Sequence, residues 1–193
     1  MNKLLCLSIL LGGLILSGCE DEYVPFARKY AFPRIDLPRE TLYTVFDNEA
    51  CPFTFEYPES GEIRRNLKDS CWVDIHMAPF GATLHINGRR ITGSGRPLEL
   101  HQEEHRRLIY THAVKAARIV PAALQFEHGA GVSYEMVGEV GTPMQMFFHD
   151  TRGEESVVMS FYYQTAVKND SLAPVTSYLK KQMHHLVETI SWK

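Results

Sequence analysis

Between Phe53 and Gln164 apolar side chains recur at every second position in a succession of short runs, and this alternation confines most of that stretch to half-buried β-strands. Phe53, Phe55 and Tyr57 alternate with Thr54 and Glu56, and Pro58 ends the run. Val73, Ile75 and Met77 repeat the pattern, as do Ala82, Leu84 and Ile86 after Pro79-Phe80-Gly81, so these two runs predict a hairpin. Asn87-Gly88 then supplies a turn signal, because both residues tolerate positive φ. From Leu98 to about Val120 the period lengthens. Leu98, Ile109, Ala113, Ala116 and Val120 fall on one helical face and Arg107, Thr111 and Arg118 on the other. Pro97 suits the first turn of this helix and Pro121 its end. Four more strands are predicted near 123–128, 132–139, 144–150 and 156–164, punctuated by Gly129-Ala130-Gly131, Gly141 and Arg152-Gly153. Asn169 to Ser171 offer helix caps, Pro174 sits in a first turn, and Val175, Leu179, Met183, Leu186 and Ile190 form the stripe of a closing helix. Short turns favour antiparallel neighbours. The order therefore predicts a single α+β domain, an antiparallel sheet of about seven strands covered by two main helices.

The first residues have a different purpose. A short basic start at Asn2 and Lys3, an apolar core from Leu4 to Leu16 and the ending Leu16-Ser17-Gly18-Cys19 form the layout of an export signal with a lipidation box. The apolar run is shorter than the roughly 20 residues a spanning helix needs, and Glu20-Asp21-Glu22 follows at once. Cleavage before Cys19 and acylation of its thiol and amine would anchor the mature protein, since two or three acyl chains at roughly 0.8 kcal/mol per methylene hold far better than one. Residues 20–50 carry Pro25, Pro33 and Pro38 among Tyr23, Phe26, Tyr30, Phe32, Tyr43 and Phe46, which reads as an extended leader too aromatic for a plain tether. Tyr23, Phe26, Tyr30 and Phe32 are its candidate binding residues, and they dock either on the chain's own domain or on a partner. The chain thus divides into a signal peptide (1–18), a lipidated N-terminus with its leader (19–50) and the α+β domain (51–193).

A formal net charge of -3 and a charged fraction of 22% argue against an electrostatic nucleic-acid binder. Of four cysteines, Cys6 leaves with the signal and Cys19 is the lipid site. Cys51 and Cys71 remain, either as a disulfide in an oxidising compartment or as two buried free thiols.

Enzymatic patterns are few. His101-Gln102-Glu103-Glu104-His105 fits the inverted zinc-protease spacing, which sets two imidazoles and a carboxylate on one helical face, with His112 near enough to imagine as a third ligand. Against zinc, Glu103 and Glu104 precede Arg106 and Arg107 at ion-pair spacing, as on a solvated face. His184 and His185 point about 100° apart on one helix and cannot chelate one ion together. His149 and Asp150 point to opposite faces of a strand, so they cannot form a triad with Ser156 or Ser160. Gly93-Ser94-Gly95 lacks the strand that a dinucleotide fingerprint requires. Arg89, Arg90 and Arg96 make one small basic patch and Arg64, Arg65 and Lys68 another, for acidic partners, for lipid headgroups or merely for solvent. No cofactor or metal is expected.

Tyr23-Val24-Pro25, Arg34-Ile35-Asp36-Leu37-Pro38, the run Cys51-Pro52-Phe53-Thr54-Phe55-Glu56-Tyr57-Pro58 and the strand-opening Cys71-Trp72, in this order after a lipidation box, resemble the gliding-motility lipoprotein family GldD over essentially the whole mature chain. Phe26-Ala27 departs from it, where a more basic, proline-bearing stretch is expected. The resemblance implies a non-enzymatic lipoprotein of the cell envelope, most naturally of the outer membrane, needed for gliding motility and for type IX secretion. Its partners would be membrane lipid, through the acyl anchor, and other gliding and secretion proteins. Only the lipidation box transfers residue by residue, onto Leu16, Ser17, Gly18 and Cys19. The strand and helix order is also similar to the sandwich of the photosystem extrinsic protein PsbP and its Mog1 relatives, a likeness of fold alone. The rival function is a lipid-anchored zinc-dependent hydrolase using His101, Glu104 and His105.

Overall fold

A computed structural model describes residues 35–39, 41–65, 71–91, 95, 97–164 and 169–193. They belong to one compact unit, Ile35–Lys193. Its elements in chain order are β1 (Tyr43–Phe46), β2 (Phe53–Pro58), β3 (Glu62–Arg65), β4 (Trp72–Met77), β5 (Ala82–Arg90), α1 (Leu98–Tyr110), β6 (Ala116–Phe126), β7 (Gly129–Gly138), β8 (Met144–Asp150), β9 (Glu155–Tyr163), α2 (Asn169–Glu188) and β10 (Ser191–Trp192). Seven strands form one antiparallel sheet in the order β3-β4-β5-β9-β8-β7-β6, and β1-β2-β10 form a second, smaller one.

The alternation decides which face of the large sheet is buried. Val73, Ile75 and Met77 of β4, Leu84 and Ile86 of β5, Met146 and Phe148 of β8, and Val157, Met159 and Phe161 of β9 point into one core. Val175, Leu179, Met183 and Leu186 of α2 and Phe53 and Phe55 of β2 close it from the other side. Each such side chain contributes roughly 1.5–3 kcal/mol on leaving water.

The α+β class and the seven-stranded sheet agree with the sequence, but the membership of that sheet does not. β2 lies in the small sheet, because Phe53 and Phe55 are fully buried against the core and α2. Its place is taken by β3, whose Glu62-Ile63-Arg64-Arg65 has one apolar residue and therefore no visible alternation. The expected turn at Asn87-Gly88 is absent. β5 continues to Arg90, paired with β9 through Asn87↔Val158 and Gly88↔Val157. Glycine is required at 88 by packing, since a Cβ there would fall 2.6 Å from the Phe53 ring.

The first helix also ends earlier than its pattern suggests. α1 stops at Tyr110, where the Thr111 hydroxyl donates to the Leu108 carbonyl at 2.6 Å, and a 3-10 turn leads into β6 at Ala116. Pro121 stands inside β6, not at a helix end, and a strand on the sheet's edge needs no donor there. Ile109 and His105 are the buried residues of α1.

β1 arises within the segment read as the leader. It pairs with β2 from Tyr43↔Pro58 to Phe46↔Phe55, and Ile35 and Leu37 pack against the core. The Tyr43 ring stacks on His185 at 3.7 Å, and its hydroxyl donates to Gln182 Oε1 at 3.0 Å. This part of the leader docks on its own domain.

Gly131 is the tightest of the sheet's close approaches, with an added Cβ falling 2.0 Å from the Phe147 carbonyl oxygen on β8. Because the obstacle is backbone, Gly131→Ala is expected to destabilise the domain by about 1–3 kcal/mol. A lowered urea midpoint at unchanged slope checks this, and an unchanged midpoint would refute it.

Candidate functional site

The opposite face of the large sheet is mixed, with Tyr134 and Phe147 buried beneath α1 and polar side chains over much of the rest. Strand alternation puts Trp72 and Asp74 of β4, His85, Asn87 and Arg89 of β5, Gln145 and Phe147 of β8, and Ser156, Val158, Ser160 and Tyr162 of β9 on this face. α1 lies across part of it, with the His105 ring 5.7 Å from Phe147 and 6.0 Å from Tyr134. Three cavities run along the helix. The first, 300 Å³, is bounded by Arg89, His101, Glu104 and Ser156, and the second, 290 Å³, by Trp72, His85, Gln145 and Ser160. Both also touch Asn87, His105, Leu108 and Val158. The third, 310 Å³, shares Tyr162 with the second and continues to His112, Val114 and Lys115. Together they form a trench whose wall is α1 and whose floor is every second residue of β9.

Hydrogen bonds hold the side away from α1. Asp74 accepts from Trp72 Nε1 at 3.1 Å and lies 2.7 Å from His85 Nδ1, while Tyr162 meets the His85 ring edge-on at 5.2 Å. The Gln145 amide donates to His112 Nε2 at 3.4 Å. On the helix side the polar groups are less satisfied. Both ring nitrogens of His105 and Nε2 of His101 are buried with no protein hydrogen-bond partner. Such a group ordinarily costs about 1–3 kcal/mol. Burial pushes the His105 imidazolium down to about 4, so the ring is neutral at physiological pH, with one donor and one acceptor.

The structure brings His101, Glu104 and His105 to one cavity, as their spacing suggests. Among the described residues, however, no three His, Cys, Asp or Glu side chains are grouped to hold a metal ion. His105 is instead packed between aromatic rings. The outward charges of α1 behave as a solvated face, with Arg106 forked onto Glu103 at 2.7 and 2.8 Å. His185 Nε2 lies 2.9 Å from Glu56, at the α2 and β2 contact. Asp150 is buried and accepts the backbone N–H groups of Glu154 at 2.7 Å and Glu155 at 2.9 Å, so its carboxylate holds the turn before β9 and does not orient His149. His149 turns to the Asp150 carbonyl at 2.7 Å. Arg90 pairs with Glu155 and Arg64 with Glu62, whereas Arg89 opens on the trench.

Cys51 and Cys71 are joined as a disulfide. Cys19, Tyr23, Phe26, Tyr30 and Phe32, with Lys68 and Arg96 of the basic patches, lie outside the described residues. Sequence reasoning missed the trench itself. Its signal was the polar half of the strand alternation, which leaves His85, Asn87, Ser160 and Tyr162 on one face.

Fold and site together define a two-sided α+β domain, core on one face and a histidine-bearing, aromatic-rimmed trench on the other. The chain belongs to the gliding motility lipoprotein family GldD, whose model matches residues 20–192. As a member it is a lipoprotein of the cell envelope associated with gliding motility. Among solved structures it is similar to the solution structure of cyanobacterial PsbP (CyanoP) from Synechocystis sp. PCC 6803, with 10% identity and a TM-score of 0.49 over 78% of this chain and 92% of that one. It is also similar to a crystal structure from Bacteroides thetaiotaomicron VPI-5482, with 10% identity and a TM-score of 0.38 over 77% of this chain and 48% of that one. Curated proteins give no match.

Proposed function

We propose that this chain is a non-enzymatic envelope protein, anchored through acylated Cys19 in the outer membrane, that supports gliding and the assembly or stability of the type IX secretion machinery. Membership of the GldD family, over nearly the whole mature chain, carries the reading. Residues 1–18 are removed on export, the residues after Cys19 form the leader, and the domain binds other envelope proteins of the machinery, not nucleic acid. The trench supports a binding function, since it combines unpaired hydrogen-bonding groups with exposed apolar side chains at Leu108, Val114, Trp72 and Tyr162.

Deleting the gene is expected to abolish colony spreading and surface delivery of secreted adhesins, with rescue by the wild-type copy. A Cys19→Ala copy is expected to incorporate no labelled palmitate and to fail in rescue. Normal spreading of the deletion strain would overturn the motility reading, and undiminished labelling of the variant would overturn the anchor.

A further inference from the structure

We propose that the trench along α1 binds an extended, acidic segment of a partner polypeptide, about six residues long. This rests on the reading of the domain as a binding module. The floor runs from Ser156 to Tyr162 of β9, which at roughly 3.3 Å per residue is about 20 Å of strand, and β5 supplies Arg89, Asn87 and His85 alongside in the same order. A site for a compact small molecule would be one closed cavity. Here the three successive cavities share lining residues, as a groove for a linear occupant does.

Hydrogen-bonding capacity points to main chain. His105 is 6% exposed and borders the first two cavities, His101 borders the first, and both ring nitrogens of His105 and Nε2 of His101 are buried without a protein hydrogen-bond partner. A neutral imidazole offers one donor and one acceptor. A peptide unit offers the complementary pair, and the Asn87 and Gln145 amides line the same path. The apolar rim suits side chains projecting from such a backbone: Leu108 is 60% and Val114 91% exposed, with Trp72 and Tyr162 between.

Charge selects the kind of segment. Arg89 stands at one end of the trench and Lys115 at the other, and neither forms an ion pair among the described residues. Glu104 is the one acidic residue lining the three cavities among the described residues, and it has an interaction of its own. A segment with acidic residues towards its ends and an apolar residue between them matches this distribution.

The test is selection of a phage-displayed library of random peptides, about eight residues long, on the full lipidated chain in detergent micelles. Enriched peptides are expected to carry acidic residues flanking an apolar one and to change the emission of Trp72, which lines the trench. Affinity is expected to fall about tenfold or more in Leu108→Asp and in Arg89→Glu, both at exposed positions, and to be unchanged in Val45→Asp on β1. Circular dichroism confirms that the variants fold. Enrichment of basic peptides, absence of any enrichment, or binding indifferent to Leu108 and Arg89 would each overturn the proposal. The deletion phenotype stands whichever way the selection falls, so the two proposals fail separately.

Discussion

Acidification from neutral pH to about pH 4 is expected to remove on the order of 3 kcal/mol of stability through His105 alone. Its imidazole titrates near 6.5 in the unfolded chain and at about 4 in the folded one, because burial disfavours the charged ring. Stability from the neutral ring is therefore fully present above pH 6.5. It is lost as pH falls towards 4, where the unfolded chain takes a proton that the folded chain rejects. Urea unfolding of the wild type and of His105→Leu across this range isolates the effect from the other histidines. The variant removes an unpaired buried polar group and should be the more stable at neutral pH, by about 1–3 kcal/mol. Its advantage should then widen on acidification. An advantage that does not change with pH would show that His105 is not held neutral by the fold.

The second large effect concerns the link between the two sheets. Cys51 stands just before β2 of the small sheet and Cys71 just before β4 of the large one, 20 positions apart. Closing a loop of that length restricts the unfolded chain by about 3 kcal/mol. Replacing both residues in Cys51→Ala, Cys71→Ala is expected to lower the melting temperature by roughly 6–12 °C for a domain of this size. Reductant should bring the wild type to the same value. Peptide mapping without reductant should recover the two cysteines linked, and two alkylatable thiols in native envelope extract would refute the bond.

Much of the fold was legible where one face of a strand is buried and the other is not. That difference prints a period of two on β2, β4 and β5, whereas β8 and β9, buried on both faces, read as nearly continuous apolar runs. Where both faces are largely exposed, as in β6, Ala116 and Val120 fit a helical stripe as readily as a strand. β3 and β10 are too short to show a period at all. Asn87-Gly88 misled for another reason: glycine serves close packing against Phe53 as well as turns, and a single sequence does not separate the two uses. At the site, the helical spacing of His101, Glu104 and His105 correctly brought them to one cavity. It could not reveal that His105 faces Tyr134 and Phe147, which arrive from β7 and β8. Most of the remaining floor comes from β4, β5, β8 and β9, and only the folded sheet sets these beside α1.

β2 occupies the middle of the small sheet, with β1 on one side and β10 on the other. The β10 side is bound by residues from the far end of the chain, as where the Glu56 N–H donates to Thr189 Oγ1 across 133 positions. Closure over such a distance is entropically slow, and it cannot begin until residues 189–192 are available. The small sheet therefore stays incomplete until β10 docks, whatever the order in which the other elements form. Ser191 and Trp192 act as a cover for β2, because a chain lacking them leaves that edge open to the next strand it meets.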